Sequence, residues 1–476
     1  MTSTDETTGG RRAELTGAAS ALPGRRLPRV VRRFLDTEAA GGVVLLVAAV
    51  AALVWANSPW SASYRALWST ELTVGLGRYV LVEDLQHWVN DALMAVFFFV
   101  VGLEIKRELV HGDLRDRRAA ALPAVAAAGG MVVPALFYLL VAGASDGARG
   151  WGIPMATDIA FAVGVVALLG PRVPASLKLF LLTLAIVDDI GAIVVIAVFY
   201  ASDVQPEFLL TAVGLIVAML GLRKAGIVWL APYVVLGSFV WLATQASGVH
   251  ATIAGVVLGL LAPAQPLIPG AVARQWAGDL TDDPTPAELD AMTRLANTAV
   301  SPAERLEHLL HPWTSFLVVP LFALANAGVE LRGDAFAGSG AVEVTVGVVV
   351  GLVAGKTLGI TAAAWLAVRT GLGRLPEGTT WPMVAGVAGV AGIGFTVALF
   401  IAELAFVPGP LQDAAKIGVL CASTLAAVMG AAVLRRACRS PQAGAEAVEV
   451  EPSGANEPDD RLEVSTRRPT DTRPSP

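Results

Sequence analysis

The sequence predicts an all-α polytopic membrane protein with about twelve transmembrane helices. Only 16% of its 476 residues are charged and 55% are hydrophobic, whereas a soluble domain carries about 25% charged residues. Apolar runs of about 20 residues, long enough to cross a bilayer, recur between Gly41 and Leu434. The predicted spans are 41–57, 87–109, 120–142, 151–170, 177–200, 207–222, 226–244, 248–264, 312–330, 344–368, 382–406 and 413–434. Within this fold class we expect inverted-topology repeats, two discontinuous crossed helices and a small periplasmic β-hairpin.

The two ends of the chain are predicted to be disordered cytoplasmic arms around a twelve-helix membrane domain at 34–436. Residues 1–33 begin MTSTDETTGGRRAEL and lack the short apolar core and cleavage site of a signal peptide. Residues 437–476 are rich in Pro, Glu, Asp, Arg and Thr, a composition that favours disorder. The two cysteines, Cys421 and Cys438, provide neither a disulfide framework nor a metal-binding spacing.

Lys and Arg are concentrated in alternate loops, which predicts the orientation of the chain. One side of the predicted membrane domain carries basic groups such as Lys106, Arg107, Arg223 and Lys224, whereas the other has only scattered arginines. Because loops rich in Lys and Arg stay in the cytoplasm, both termini are predicted to be cytoplasmic. An even number of spans likewise requires that both termini lie on the same side of the membrane.

Two of the loops carry distinctive patterns. In the periplasmic loop 58–86, the segment ELTVGLGRYVLVED alternates apolar and polar residues and predicts a β-hairpin. The exposed edge of such a hairpin can pair with a second copy of the chain. The cytoplasmic loop 265–311 is long and acidic, and its last residues, ERLEHLLHPW, predict a short amphipathic helix at the membrane surface.

Five of the charged residues inside the predicted spans are candidates for function. They are Asp91, Asp158, Asp188, Asp189 and Lys356. A charge at the centre of a bilayer costs about 2.5–3.5 kcal/mol on insertion scales. A structural contact between helices is the alternative for each of them. It explains Asp91, near the outer end of its span, as well as a functional role does, but it is less attractive for the adjacent pair Asp188 and Asp189.

The adjacent aspartates of LAIVDDIGAI are predicted to have different partners. Consecutive residues of a helix point about 100° apart, so Asp188 and Asp189 cannot share one partner equally. Lys356 is the only basic residue predicted at mid-membrane and is the natural partner of one of them. The other carboxylate is then free to bind an ion.

The fourth and eleventh spans both contain helix-breaking sequences. The fourth contains Pro154 followed by Thr157 and Asp158, and the eleventh contains GVAGVAGIGFT, Gly386 to Thr396. The glycines could form a small-residue packing face, or they could unwind the helix where it lines a cavity. Interrupted spans in corresponding positions of two repeats point to the binding site of a transporter. In that arrangement Asp158 would offset positive helix ends and Lys356 negative ones.

Eight ordered motifs resemble those of the bacterial NhaA-type sodium/proton antiporters, over about residues 34–436. They are WVNDALMAVFFFVVGLEIKREL, ATDIAFAVGVVALLG, LAIVDDIGAI, SGVHATIAGV, RLEHLLHPW, GKTLGI, LPEGTTW and GIGFT. Inverted repeats with interrupted helices are themselves a feature of this family. The resemblance implies that Asp189 is the main ligand of Na⁺ or Li⁺, that Asp188 pairs with Lys356, and that Thr157 and Asp158 lie where broken helices cross.

The resemblance also implies a pH-sensing group, an assembly and a location. The matching pH-sensing candidates are Glu104, Glu108, Glu307, His308 and His311. Histidine suits this role because its ordinary pKa is about 6.5. A solvated surface helix, or pH dependence arising at the ion site itself, remain alternatives, whereas a metal site at the HxxH spacing lacks a third ligand. The family implies a homodimer joined through the hairpin, in the bacterial inner membrane.

The sequence departs from the family pattern at a few places. Thr357 follows the lysine where a proline is familiar, and Glu403 adds an acid near the outer end of the eleventh span. The 265–311 loop and the C-terminal extension are also unusual. These departures leave the predicted transport site intact, but they bear on the pH at which the protein would switch.

The predicted function is pH-regulated, electrogenic Na⁺(Li⁺)/H⁺ antiport by alternating access, which exports Na⁺ in exchange for inward H⁺. The protein is then a transporter and not an enzyme. Its partners are the transported ions, membrane lipid and a second copy of the chain, with no cofactor and no nucleic acid. A passive cation channel is the alternative, since acidic rings select cations. An intramembrane aspartyl protease, using Asp158 and Asp188, is disfavoured because no GxGD motif is present.

Overall fold

The computed structural model describes residues 29–76, 79–201, 203–227, 229–266, 285, 299–331 and 338–439. Most of the predicted N-terminal arm, most of the 265–311 loop and residues 440–476 lie outside this part of the chain. Residues 29–33, which were predicted to belong to the arm, form the start of the first helix.

The described residues are almost entirely helical. The helices are α1 (Arg29–Ala56), α2 (Ser61–Trp68), α3 (Leu85–Val110), α4 (Arg117–Ala142), α5 (Ile159–Leu168), α6 (Ala175–Phe199), α7 (Pro206–Lys224), α8 (Leu230–Ala246), α9 (Ala251–Leu261), α10 (Pro302–Asn326), α11 (Ala341–Arg369), α12 (Trp381–Ala391), α13 (Phe395–Ala405) and α14 (Pro410–Ala437). Short 3₁₀ helices cover Asp113–Arg115, Asp146–Met155 and Gly170–Arg172. The two strands are β1 (Glu71–Leu76) and β2 (Tyr79–Asp84).

Each of the twelve predicted spans contains helix, but the helices differ in their capacity to cross a membrane. In the described part, 7 helices are long and apolar enough to span a bilayer on their own. Counting each sharply bent helix pair as one span brings the number up to 10. The remaining predicted spans correspond to the shorter apolar helices α8 and α9. The protein is therefore polytopic, and the count of twelve spans stays a prediction.

Helix α10 begins ten residues earlier than the predicted span. The Ser301 side chain accepts a hydrogen bond from the backbone N–H of Glu304, and Pro302 occupies the first turn. Both features are typical of a helix start. The segment ERLEHLLHPW is thus the first part of a 25-residue helix and not a separate surface helix. Pro312 lies inside this helix although it lacks a backbone N–H.

Within the described residues, three helices contain a π-helical turn, a feature that often marks functional sites. The turns lie at Val89–Leu93 in α3, Thr314–Val318 in α10 and Gly351–Gly355 in α11. The third immediately precedes Lys356. It therefore sets the direction in which this side chain leaves the helix.

The helix that carries Lys356 lies unusually close to α4. A Cβ at Gly129 would come within 2.4 Å of the carbonyl oxygen of Gly359, and one at Gly359 within 2.3 Å of the carbonyl oxygen of Gly129. Only glycine fits at both positions, because a larger residue would push the two backbones apart. Small residues commonly permit such contacts between membrane helices. Here the contact fixes the position of the middle of α11.

The strands of the predicted hairpin segment are paired. β1 and β2 are antiparallel, with Glu71 opposite Asp84 and Leu76 opposite Tyr79. Four apolar side chains of these strands are exposed in the single chain: Leu72, Val74, Val80 and Val82. The role of this surface in a dimer stays a prediction.

Candidate functional site

The two adjacent aspartates of α6 have different surroundings, as the helix geometry predicts. The Asp188 side chain is completely buried, and its Oδ2 atom lies 2.6 Å from Nζ of the equally buried Lys356. Asp189 is also buried, but it lines a cavity of about 50 Å³. Like Asp188 Oδ1, the Oδ1 atom of Asp189 is buried without a hydrogen-bond partner among the described residues, but only Asp189 lines the cavity. Since an unpaired buried carboxylate is unfavourable, this oxygen calls for a proton or a cation.

Lys356 also contacts the carbonyl end of a broken helix. Its Nζ donates to the backbone carbonyl of Met155, the last residue of the 3₁₀ helix Asp146–Met155. The C-terminal end of a helix carries partial negative charge. The ammonium group therefore joins the Asp188 carboxylate to this helix end.

Two broken helices meet beside the aspartate pair. The 3₁₀ helix Asp146–Met155 and α5 are bent by 49° relative to each other, and α12 and α13 by 46°. The breaks touch directly: the Asp158 N–H donates to the carbonyl of Ile393 at 2.7 Å, and Thr157 Oγ1 donates to that of Ala391 at 2.9 Å. The interruptions predicted from Pro154 and from the glycine-rich segment therefore form one contact region.

The glycines of the eleventh predicted span have two roles, one in the break between α12 and α13 and one in helix packing. Gly392 lies in the break, where a Cβ would come within 2.4 Å of the Leu352 carbonyl oxygen. Gly389 instead lies against α14, where its Cβ position is 3.1 Å from Cα of Gly430. One glycine thus permits the unwound segment, and the other permits close helix packing.

Asp158 lies at the N-terminal ends of two helices. Its Oδ1 accepts a hydrogen bond from the Phe161 N–H in the first turn of α5. Its Oδ2 accepts from both the N–H and Oγ1 of Thr396, at 3.1 and 2.7 Å, in the first turn of α13. A carboxylate at this position offsets the partial positive charge of both helix ends. Asp158 and Lys356 thus occupy the positions expected for them.

The small cavity joins this crossing to the predicted pH-sensing group. Its lining includes Thr157, Asp158, Asp189, Glu104 and His311. His311 Nε2 lies 3.9 Å from Glu104 Oε1, and both side chains are largely buried. The cavity lining therefore includes both Asp189 and two of the predicted pH-sensing residues, Glu104 of α3 and His311 of α10.

Most of the predicted pH-sensing residues lie around Arg107, which was not among the predicted site residues. Arg107 forms ion pairs with Glu307 and with Glu108, the latter at 3.4 Å. His308, in contrast, is exposed on α10. The two histidines of the HxxH spacing therefore have different surroundings. Arg107 could have been recognised from its place in EIKREL, between two of the predicted glutamates.

Asp91 lies outside the lining of the cavity and contacts helix α8. Gln245 Nε2 is 3.5 Å from its Oδ2, and the Trp241 indole N–H donates to its backbone carbonyl. These contacts favour the structural interpretation of this residue. His250, at the start of α9, also contacts the backbone of another segment: its Nε2 atom lies 2.8 Å from the carbonyl oxygen of Tyr200.

Comparison with known proteins identifies the family. The model of the family described as Na⁺/H⁺ antiporter 1 matches residues 32–434. The chain is 49% identical over 415 residues to a protein of Frankia alni named Na(+)/H(+) antiporter NhaA 3, covering 86% of this chain and 90% of that protein. It is 47% identical to Na(+)/H(+) antiporter NhaA 2 of Sorangium cellulosum, covering 89% and 94% of the two chains. It is also 47% identical to Na(+)/H(+) antiporter NhaA of Rhodopirellula baltica, covering 87% and 96%. The chain belongs to the Na⁺/H⁺ antiporter 1 family, and its apolar helices are those of a multi-pass membrane protein.

Proposed function

We propose that this protein exchanges Na⁺ or Li⁺ for H⁺ across the bacterial inner membrane, as a transporter and not as an enzyme. One observation carries the proposal: the buried Asp189 carboxylate lines a cavity and has an oxygen with no hydrogen-bond partner in the described part of the chain. The names of the related proteins support Na⁺ and H⁺ as the exchanged ions.

Coupling follows from competition at Asp189. Na⁺ and Li⁺ are hard cations, which prefer oxygen ligands such as carboxylates. Desolvation favours the protonated form of a carboxyl group, and a bound cation favours the ionised form. The site therefore holds either a proton or a cation. When it is presented alternately to the two sides of the membrane, the two ions exchange.

The Asp188–Lys356 pair can supply a second proton. If cation binding draws Asp188 away from Lys356, the buried ammonium group loses its counter-charge and releases a proton. Two protons would then enter for each Na⁺ exported. Such exchange carries net positive charge inward, so the inside-negative membrane potential drives it.

The two sides of the site can be related to the predicted topology. Glu104 and His311 lie at the end of the cavity toward the predicted cytoplasmic side. The Glu104, Glu108, Glu307 and His311 side chains, with Arg107 among them, would adjust access to Asp189. His308 is exposed and lies outside this group. The paired strands β1 and β2 on the opposite side would join two copies into a dimer.

Ion flux in everted membrane vesicles tests the proposal. Adding Na⁺ to vesicles with a preset pH gradient should dissipate the gradient without an ionophore, and a pH gradient should in turn drive Na⁺ uptake against its own gradient. A passive cation channel would move Na⁺ only down its electrochemical gradient, and that result would overturn the proposal. Faster exchange under a membrane potential of the correct sign would show electrogenicity.

Asp158→Asn should weaken apparent Na⁺ affinity more than it affects folding. The substitution keeps the size and an acceptor oxygen but removes the charge that offsets two helix ends. The uncompensated positive ends would repel the cation, lowering affinity about five- to thirtyfold. The measurement is the Na⁺ concentration dependence of pH-gradient dissipation.

The matched control for Asp158→Asn is Glu343→Gln. Glu343 also lies in the first turn of a helix, but it is exposed and away from the cavity. This variant should keep the wild-type affinity. If Asp158→Asn reduces the amount of folded protein while the affinity of the remainder is unchanged, Asp158 has only a structural role.

A further inference from the structure

A second buried polar group lies at the other end of the helices that line the cavity. Glu403 is in the last turns of α13, the helix whose first turn donates to Asp158. Its neighbours Gln86 and Asn326 lie at the start of α3 and the end of α10. Gln86 and Glu104 are 18 positions apart in α3, which corresponds to about 27 Å along a helix. α3 lines the cavity from Phe97 to Glu104, so the cavity lies along the C-terminal half of α3 and this group at its N-terminal end.

Glu403 is held firmly by two side chains of the following helix. Its carboxylate forms an ion pair with Lys416, and its Oε2 accepts a hydrogen bond from Gln412 Nε2 at 2.9 Å. The side chains of Glu403 and Lys416 are only 12% and 8% exposed. The pair thus fixes a carboxylate on the α13–α14 unit.

The Glu403 carboxylate also has a weaker contact with Gln86 of α3, another helix that lines the cavity. Gln86 Nε2 lies 3.4 Å from Glu403 Oε1 and donates to Asn326 Oδ1 at 3.0 Å. Asn326 Nδ2 in turn donates to Asn90 Oδ1 at 2.7 Å, and both asparagines are buried. A continuous polar connection therefore runs from α14 through α13 to α3 and α10. Its longest step is the one between Gln86 and Glu403.

We propose that Glu403, held by Lys416, is a positioning residue that keeps the exchange site closed on the side opposite Glu104 and His311. α13 supplies Thr396 to one wall of the cavity, and α3 and α10 supply the other wall. Opening the site on the Glu403 side requires these walls to separate there. The Gln86–Glu403 link must then break, whereas the Glu403–Lys416 and Glu403–Gln412 contacts move together with α13 and α14.

The strength of the link suits a reversible closure. A hydrogen bond to a charged acceptor can change the ratio of two conformations by about tenfold or more. At 3.4 Å the Gln86–Glu403 contact is near the weak end of hydrogen bonding. It favours the closed side without locking it. This inference rests on the proposed alternating access.

Gln86→Leu tests the inference, because it removes the cross-link but keeps the ion pair. The measurement is the apparent KM for Na⁺ in exchange assays on vesicles of both orientations. When the state open to one side is rarely populated, the apparent affinity for Na⁺ measured from that side is reduced in proportion to the population of that state. Gln86→Leu should therefore lower the KM about tenfold on the Glu403 side, and change it less than about twofold on the Glu104 side.

Gln412→Leu is the matched control, since it removes a hydrogen bond to the same carboxylate from within the α13–α14 unit. It should reduce thermal stability but leave the KM on both sides unchanged. Glu403→Gln should lower the KM on the Glu403 side as Gln86→Leu does, and it should also reduce thermal stability because Lys416 loses its ion-pair partner. Adding Lys416→Met should restore the stability but leave the KM on the Glu403 side low.

The results separate the inference from the proposed function. Wild-type exchange with an unchanged KM on both sides in Gln86→Leu would overturn the role of Glu403 alone. Equal changes of KM on the two sides would also overturn it, because they would indicate general damage to the site. Absence of Na⁺/H⁺ exchange in the wild-type protein would instead overturn the proposed function.

Discussion

Asp189→Asn should abolish Na⁺/H⁺ exchange while leaving the protein folded in the membrane. Asparagine has nearly the same size and retains one oxygen, but its amide neither ionises nor carries a proton. Because the proposed coupling depends on competition between a proton and a cation for one carboxylate, both half-reactions are lost together. The measurement is Na⁺-dependent dissipation of a pH gradient in everted vesicles, which should fall to the level of membranes without the protein.

Asp91→Asn is the matched control for this substitution. Asp91 is another acid within a predicted span, but it contacts Gln245 of α8 and lies outside the lining of the cavity. Its variant should retain exchange. If Asp189→Asn still exchanges Na⁺ for H⁺ with wild-type affinity, the ion site lies elsewhere.

Lys356→Met should destabilise the protein strongly, because it leaves Asp188 buried without its ion-pair partner. Removing one member of a buried pair costs about 3–5 kcal/mol. The double substitution Asp188→Asn with Lys356→Met should recover most of this loss, since no unpaired charge remains. Recovery should be incomplete, because the Met155 carbonyl still lacks the donor that Lys356 provides. The measurement is the thermal unfolding midpoint of the purified protein.

The double variant also reports on the source of the second proton. It retains Asp189 and should still exchange Na⁺ for H⁺, but without response to the membrane potential if the Asp188–Lys356 pair supplies the second proton. If the double variant is as unstable as Lys356→Met alone, the unpaired Asp188 carboxylate is not the cause of the instability. In that case the loss would come from packing and not from an unpaired carboxylate.

The central geometry was predictable because charged residues are conspicuous in apolar helices. That Lys356 pairs with one of the two aspartates, and that the other has different surroundings, was expected from the 100° between neighbouring residues and from the single mid-membrane lysine; that the partner is Asp188 was implied by the family resemblance. The helix breaks were expected from Pro154 and from the glycines around Gly392.

Other parts of the site could not be predicted, for identifiable physical reasons. Thr396 holds Asp158, but a threonine costs so little to insert that it gives no signal in the sequence. Gln86, Asn326 and Gln412 are neutral amides and are equally inconspicuous, so Glu403 stood out without its partners. The contacts among these side chains depend on helices far apart in the chain, and only the fold brings them together.

Proton release on Na⁺ binding reports the competition between Na⁺ and H⁺ at Asp189 directly, because it is measured without transport. Na⁺ is added to the purified protein in weakly buffered detergent solution, across the pH range in which exchange is measured. We expect the wild-type protein to release protons as Na⁺ binds, and Asp189→Asn to release none. Na⁺ binding by the wild-type protein without proton release, or equal release from Asp189→Asn, would contradict competition at Asp189.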